Sequence, residues 1–268
     1  MKKSKFINYV VPFVFALLAL VLFSWLLKLT YFVSFQVFEL SQTGHGALSS
    51  HKTLMNLAVD GLLVIAVLVS HKWLNIPSIK NLGFRNNRLS NRIVFVSLGI
   101  MIFQYFLVVI GSTAVGTRWS LGSFDMMSLF RAIILMLGVG IGEEVFFRAG
   151  IFNILKPLGR KSAYIFGALM FAFAHFFGES FHVLRLLGTL LPGLLFIYIY
   201  EQTESIWPGS IIHAMLNLFS LLIIHQVSGV SLTSYSGNEN FVAVLWTITY
   251  TLTLIAIAYY VKRAKLKQ

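Results

Sequence analysis

The chain contains no cysteine. That excludes disulfides, thiolate zinc sites and a cysteine nucleophile. Charge is also scarce. Asp, Glu, Lys and Arg make up 11% of the 268 residues, where a soluble domain carries about a quarter. Acidic residues are the rarer sign, nine against 21 Lys and Arg, leaving a formal net charge of +12. The excess does not indicate nucleic acid, because the basic residues lie at the ends of apolar runs and not on one polar face. There is no internal repeat, no low-complexity segment and no long polar linker, so no soluble domain is expected beside the main body.

What fills the chain instead is apolar. Hydrophobic residues account for 57% of it, with a mean hydropathy of +0.82. This composition belongs to a polytopic membrane protein forming one unit. A span needs about 20 mainly apolar residues. The sequence supports eight helices, near 7–28, 54–71, 93–115, 128–152, 162–178, 182–200, 207–226 and 241–261. The first follows MKKSKF and is too long for a signal-peptide core, so it is read as a retained span. The expected fold is therefore an all-α helix bundle of about eight transmembrane helices. Three parts are expected: a scaffold of helices 1–3 (residues 1–126), a core of helices 4–7 (127–226), and the eighth helix with its basic tail (227–268).

Loop charge orients the bundle. With both termini cytoplasmic, the outer segments hold only Lys28, Lys52 and Arg118. Arg131, Arg148 and Arg185 fall within spans, and every other Lys and Arg lies inside. A seven-span arrangement would strand the basic tail outside. The expected location is a plasma membrane, probed from within by a multi-pass protein in contact with lipid.

Ionisable groups inside spans cost roughly 2.5–3.5 kcal/mol on insertion scales and usually mark function or pairing. They gather in the second half of the chain. In "IGEEVFFRAG", Glu144 and Arg148 stand i,i+4 with the acid first, the favourable helical order, while Glu143 points about 100° away. The arginine can thus neutralise one glutamate and leave the other free; a purely structural ion pair is the plain alternative. Phe171-x-x-x-His175 follows on the fifth span and His213-x-x-x-Asn217 on the seventh, where helix–helix hydrogen bonding is the plain alternative. Gly138, Gly142, Gly188 and Gly193 are read as packing positions. Glu143 lies about 15 residues before the inner turn centred near Leu158–Gly159 and His175 about 16 after it, nearly the same depth at 1.5 Å per residue. His213 falls shallower by up to two turns. His45, His51, His71, His182 and His225 lie at loops or span ends and are given no direct role. Glu179 and Arg185 are expected to pair locally. Asp60 is an intramembrane acid with no partner evident in the sequence.

A carboxylate, two imidazoles and a carboxamide at similar depth suit hydrolysis of a carbonyl. Glu143 would be the general base on a water with His175, and His213 with Asn217 would donate to the oxyanion. A zinc version would use Glu143, His175 and His213, although no His-Glu-x-x-His motif is present.

These three motifs, in this order on successive late helices, resemble the CPBP family: CAAX prenyl endopeptidases and bacteriocin-processing or immunity proteins, also called the Abi family. The segment "YIYEQTESIWPGSIIHAMLN" resembles the stretch leading into the family's last motif, and the likeness runs from about Met127 to His225. It implies an all-helical intramembrane endopeptidase with a cavity open to the cytosol. It also implies Glu143 as catalytic carboxylate, His175 as its partner on water, His213 and Asn217 on the oxyanion side, and Glu144 with Arg148 as support. The implied substrate is a membrane-associated or lipidated protein or peptide. Family members have been described both as metalloproteases and as glutamate-dependent enzymes, so the resemblance leaves the metal open. A bacterial setting in bacteriocin maturation or self-immunity is the implied biology. The rivals are a proton-coupled transporter, which needs polar residues along a path to both faces, and a non-catalytic immunity or scaffold protein acting by binding.

Overall fold

The computed structural model describes residues 50–70, 88–122, 124–175, 183–224 and 230–266, with several helical positions between 10 and 29. The expected first span thus lies largely outside the described residues, as do His45, His71, Glu179, His182 and His225, and the side chains of His51 and Arg185. The chain is all-α. Its main helices are α1 (Ser50–Ser70), α2 (Arg88–Thr113), α3 (Met126–Glu144), α4 (Arg160–Ala174), α5 (Val183–Thr203), α6 (Ile206–Phe219) and α7 (Glu239–Lys265). Among the described residues, α2, α6 with its extension to Ile224, and α7 are long and apolar enough to cross a membrane by length and composition alone.

Local chemistry sets the ends of these helices. Asp125 caps α3 by accepting from the Ser128 amide at 2.8 Å, satisfying one of the orphan donors of the first turn. Gly159, at φ 93°, makes the left-handed turn into α4 that a side chain would resist. α3 itself does not stop at Glu144. It continues as a π-helical stretch, Val145–Phe152, then a short turn of α-helix and a 3₁₀ turn ending at Leu158.

Small residues bring α3 against two neighbours. On one face, a Cβ at Gly138 would collide with Leu57, one at Gly142 would lie 2.7 Å from the Asp60 Cβ, and one at Gly150 would lie 3.2 Å from Val67. The three contacts advance together along both chains, so α1 and α3 run parallel. On another face, a Cβ at Gly140 would meet the Ser210 carbonyl oxygen at 2.5 Å, and one at Gly209 would meet Glu144 at 3.1 Å. There the numbering runs in opposite directions, and α3 and α6 are antiparallel. Gly193 likewise seats α5 against Ala168 and Phe171. Gly188 departs from its expected packing role, because the space where its Cβ would stand is open.

Two short strands interrupt the helical pattern. β1 (Arg118–Leu121) and β2 (Thr233–Ser236) pair antiparallel, Arg118 opposite Ser236. The ribbon has a structural task. α6 ends in a π-helical segment, Ser220–Ile224, whose last carbonyls need donors. The Ser231 hydroxyl donates to Leu221, the Leu232 amide to Leu222, and the Thr233 and Tyr235 hydroxyls to Ile223 and Ile224. Trp119 ties the ribbon to α2, donating from Nε1 to the Ser112 hydroxyl at 2.9 Å.

Because the Gly140 contact is with backbone, Gly140→Ala is expected to force α3 and α6 apart and destabilise the bundle by about 1–3 kcal/mol. Gly188→Ala should cause no loss. Thermal unfolding of both variants in detergent checks the contrast; equal melting temperatures would remove the close-approach argument.

Candidate active site

The site is built around Arg148, on the π-helical continuation of α3. Its side chain is 0% exposed and that of Glu144 1%. A lone charge so deep would be strongly unfavourable. Nη2 donates to Glu144 Oε1 at 3.0 Å, and Nε stands 3.0 Å from Oε2, a forked pairing of two nitrogens on two oxygens. The faces of the guanidinium are covered by aromatic rings, with Phe171 at 4.6 Å, Phe196 at 5.6 Å and Phe147 at 5.9 Å from ring centroid to Cζ. Cation–π attraction strengthens when such a cation is desolvated.

Each π-type hydrogen bond spans one more residue than an α-helical one, and the carbonyls it displaces need donors. Asn153 supplies them, donating from Nδ2 to the Arg148 and Ala149 carbonyls at 3.3 and 3.0 Å while also meeting the Tyr200 hydroxyl at 3.1 Å. Neither Asn153 nor Tyr200 stands out in the sequence, since the signal lies in a helix type that periodicity does not reveal.

Glu144 also receives His213. The imidazole Nδ1 lies 3.2 Å from Glu144 Oε1. Since that carboxylate is committed to Arg148 and can only accept, Nδ1 is the donor. The ring stacks on Phe196 with centroids 4.9 Å apart. This leaves Nε2 facing Glu143, 3.9 Å from Oε2. His175 ends α4 and is held in the same manner: Nδ1 lies 2.8 Å from the Phe171 carbonyl oxygen, an acceptor, so Nδ1 carries the proton. Its Nε2 stands 3.7 Å from Glu143 Oε2. Two imidazole Nε2 atoms thus converge on one carboxylate oxygen, which is buried and has no hydrogen-bond partner. Asn217 lies one turn beyond His213 on α6 and is partly buried. Among the described residues its side chain makes none of the contacts joining the other five.

The difference in depth that straight helices imply for His213 is not seen, since its Nε2 stands 3.9 Å from Glu143 Oε2; the π winding between Glu143 and the inner turn shortens that stretch of α3. Zinc bonds of about 2.0–2.1 Å in a tetrahedron require donor separations of about 3.4 Å, shorter than the 3.7 and 3.9 Å seen here. Among the described residues no group of three or more His, Cys, Asp or Glu side chains is arranged to hold a metal ion.

Residues 125–219 match the family model for type II CAAX prenyl endopeptidase Rce1-like proteins. This segment is an Rce1-like domain. No curated protein and no solved structure matches the chain. The Rce1-like segment holds all six site residues (Glu143, Glu144, Arg148, His175, His213 and Asn217), and the family is one of proteases of the CPBP type. Asp60, which the sequence left without a partner, lies outside that segment yet packs against Gly142, beside Glu143.

Removing Glu144 leaves Arg148 charged, buried and unpaired. Glu144→Ala is expected to cost about 3–5 kcal/mol, lowering yield and melting temperature as well as activity. Normal stability with activity alone lost would contradict the pairing as the support of the site.

Proposed function

We propose that the chain is an intramembrane endopeptidase that hydrolyses a peptide bond of a membrane-associated or lipidated protein or peptide with water activated by Glu143 and His175. The observation that carries this reading is the convergence of two fixed imidazoles on one partly buried carboxylate, whose Oε2 has no hydrogen-bond partner, within an Rce1-like segment. A water oxygen at about 2.8 Å from both Glu143 Oε2 and His175 Nε2 closes a good hydrogen-bonded triangle over their 3.7 Å edge. Glu143 takes one proton as the water oxygen attacks the scissile carbonyl carbon. The C–N bond then breaks, and Glu143 returns its proton to the leaving amine. His213 and Asn217 stabilise the oxyanion. With Nδ1–H committed to Glu144, a second proton on Nε2 makes His213 an imidazolium between two carboxylates, and that species is the donor; the Asn217 carboxamide donates without a change of charge.

Eight spans with both termini cytoplasmic complete the proposed setting. The parallel run of α1 and α3, and the antiparallel run of α6, fit that order, which places the inner turn at Gly159 and the basic tail of α7 on the cytoplasmic side of a bacterial plasma membrane. Bacteriocin processing or self-immunity is the proposed biology. Among the described residues, the ionisable groups that meet Glu143 and Glu144 stand on α3, α4 and α6, and that clustering favours hydrolysis over transport.

Membranes expressing wild type and Glu143→Ala at matched levels should differ in peptide termini by mass spectrometry, with wild-type-only termini naming the substrate; an identical set would contradict the proposal. His175→Ala should likewise abolish cleavage with normal insertion. Asn217→Ala should lower kcat by about 10²–10³, the usual loss for one oxyanion donor.

A further inference from the structure

Asn153 stands at the join where the π-helical stretch Val145–Phe152 gives way to a turn of α-helix. Its own backbone N–H reaches back only to the Gly150 carbonyl. The two carbonyls this bond passes over, those of Ala149 and Arg148, are met by the side chain instead, with Nδ2 at 3.0 and 3.3 Å. A carbonyl can only accept, so the nitrogen of the carboxamide, and not its oxygen, faces them. The Tyr200 hydroxyl is the third neighbour of Nδ2, at 3.1 Å, and it comes from α5.

These contacts hold the backbone that carries the site against the helix that covers it. Arg148, whose carbonyl Asn153 holds, forks on Glu144 with its side chain, and Glu144 in turn holds the His213 imidazole. One turn before Tyr200 on α5, Phe196 lies 5.6 Å from the Arg148 Cζ and stacks on that same imidazole. A π winding is a rare departure from the α-helix. Without a donor at position 153 the segment can rewind, and Arg148 turns with it. We propose that Asn153 is a positioning residue of the active site: its carboxamide holds the π winding at Arg148, and so sets the Glu144 carboxylate that turns His213 toward Glu143. Asn153 does not touch the reacting atoms. This rests on the reading of Glu143 and His213 as parts of a hydrolytic site.

The test compares two substitutions. Asn153→Leu keeps the size and removes the donor. Asn153→Ser keeps a donor, because a serine hydroxyl in a helix bonds the carbonyl four residues back, here that of Ala149. Asn153→Leu should lower kcat by about 10²-fold, the loss a small misplacement can cause, with KM within about two-fold. Asn153→Ser should recover most of that loss. Wild-type kcat in Asn153→Leu, or equal losses in both variants, would overturn the proposal. A second measurement needs no cleavage. With isotopically labelled arginine in detergent, the Arg148 Nε–H resonance, protected from exchange by burial, should shift in Asn153→Leu and return toward its wild-type position in Asn153→Ser. A loss of stability alone lowers the folded fraction and leaves that resonance in place, so an unmoved resonance in Asn153→Leu would also overturn the proposal. If Asn153→Leu does not fold, Tyr200→Phe decides. It lacks only the hydroxyl that anchors the amide and should lower kcat about five- to ten-fold; an unchanged kcat and an unmoved Arg148 resonance would count against the role. If wild type cleaves nothing, the peptidase reading fails while the arginine resonance still decides whether Asn153 sets the site.

Discussion

The buried ion pair between Arg148 and Glu144 is the constraint on which the rest of the site depends. An arginine with no exposed surface needs a carboxylate and a full cover of apolar or aromatic groups. Meeting that need recruits three neighbouring helices. α4 contributes Phe171, α5 contributes Phe196, and α6 contributes Gly209, whose missing side chain leaves room for Glu144. His213 then docks on the same carboxylate, and its orientation is fixed by that contact. The pair thereby separates the two adjacent glutamates, one committed to structure and the other left facing two imidazoles.

Much of this was legible in the sequence because it rests on helical spacing. Glu144 and Arg148 stand i,i+4 and pair; Glu143, about 100° round the helix, faces elsewhere. The equal distance of Glu143 and His175 from the turn at Gly159 matches their 3.7 Å separation. Phe171 and His175, also i,i+4, meet through the Phe171 carbonyl and through rings 4.7 Å apart. The glycines at 138 and 142 signalled close approach, and α1 is the helix that comes close.

The remainder depends on partners that spacing cannot identify. A π-helical stretch has no signature in apolar periodicity, so the roles of Asn153 and Tyr200 were hidden. The ribbon of β1 and β2 arises from two segments more than a hundred residues apart, and its donors matter only because α6 ends in unsatisfied carbonyls. Gly188 carries the same sequence signal as Gly193, yet one faces open space and the other faces Phe171. Asp60 was conspicuous as an intramembrane acid, but only the α1–α3 contact shows what it stands beside.

Direct attack by water is the chemical core of the proposed mechanism, and nucleophile trapping tests it most directly. Cleavage would be run with a high concentration of a small amine and the new C-terminus identified by mass spectrometry. Attack by a Glu143-activated water yields only the free carboxylate, at every amine concentration. A product bearing the amine as an amide would reveal a covalent acyl-enzyme and contradict the assignment of Glu143 as a base acting on water.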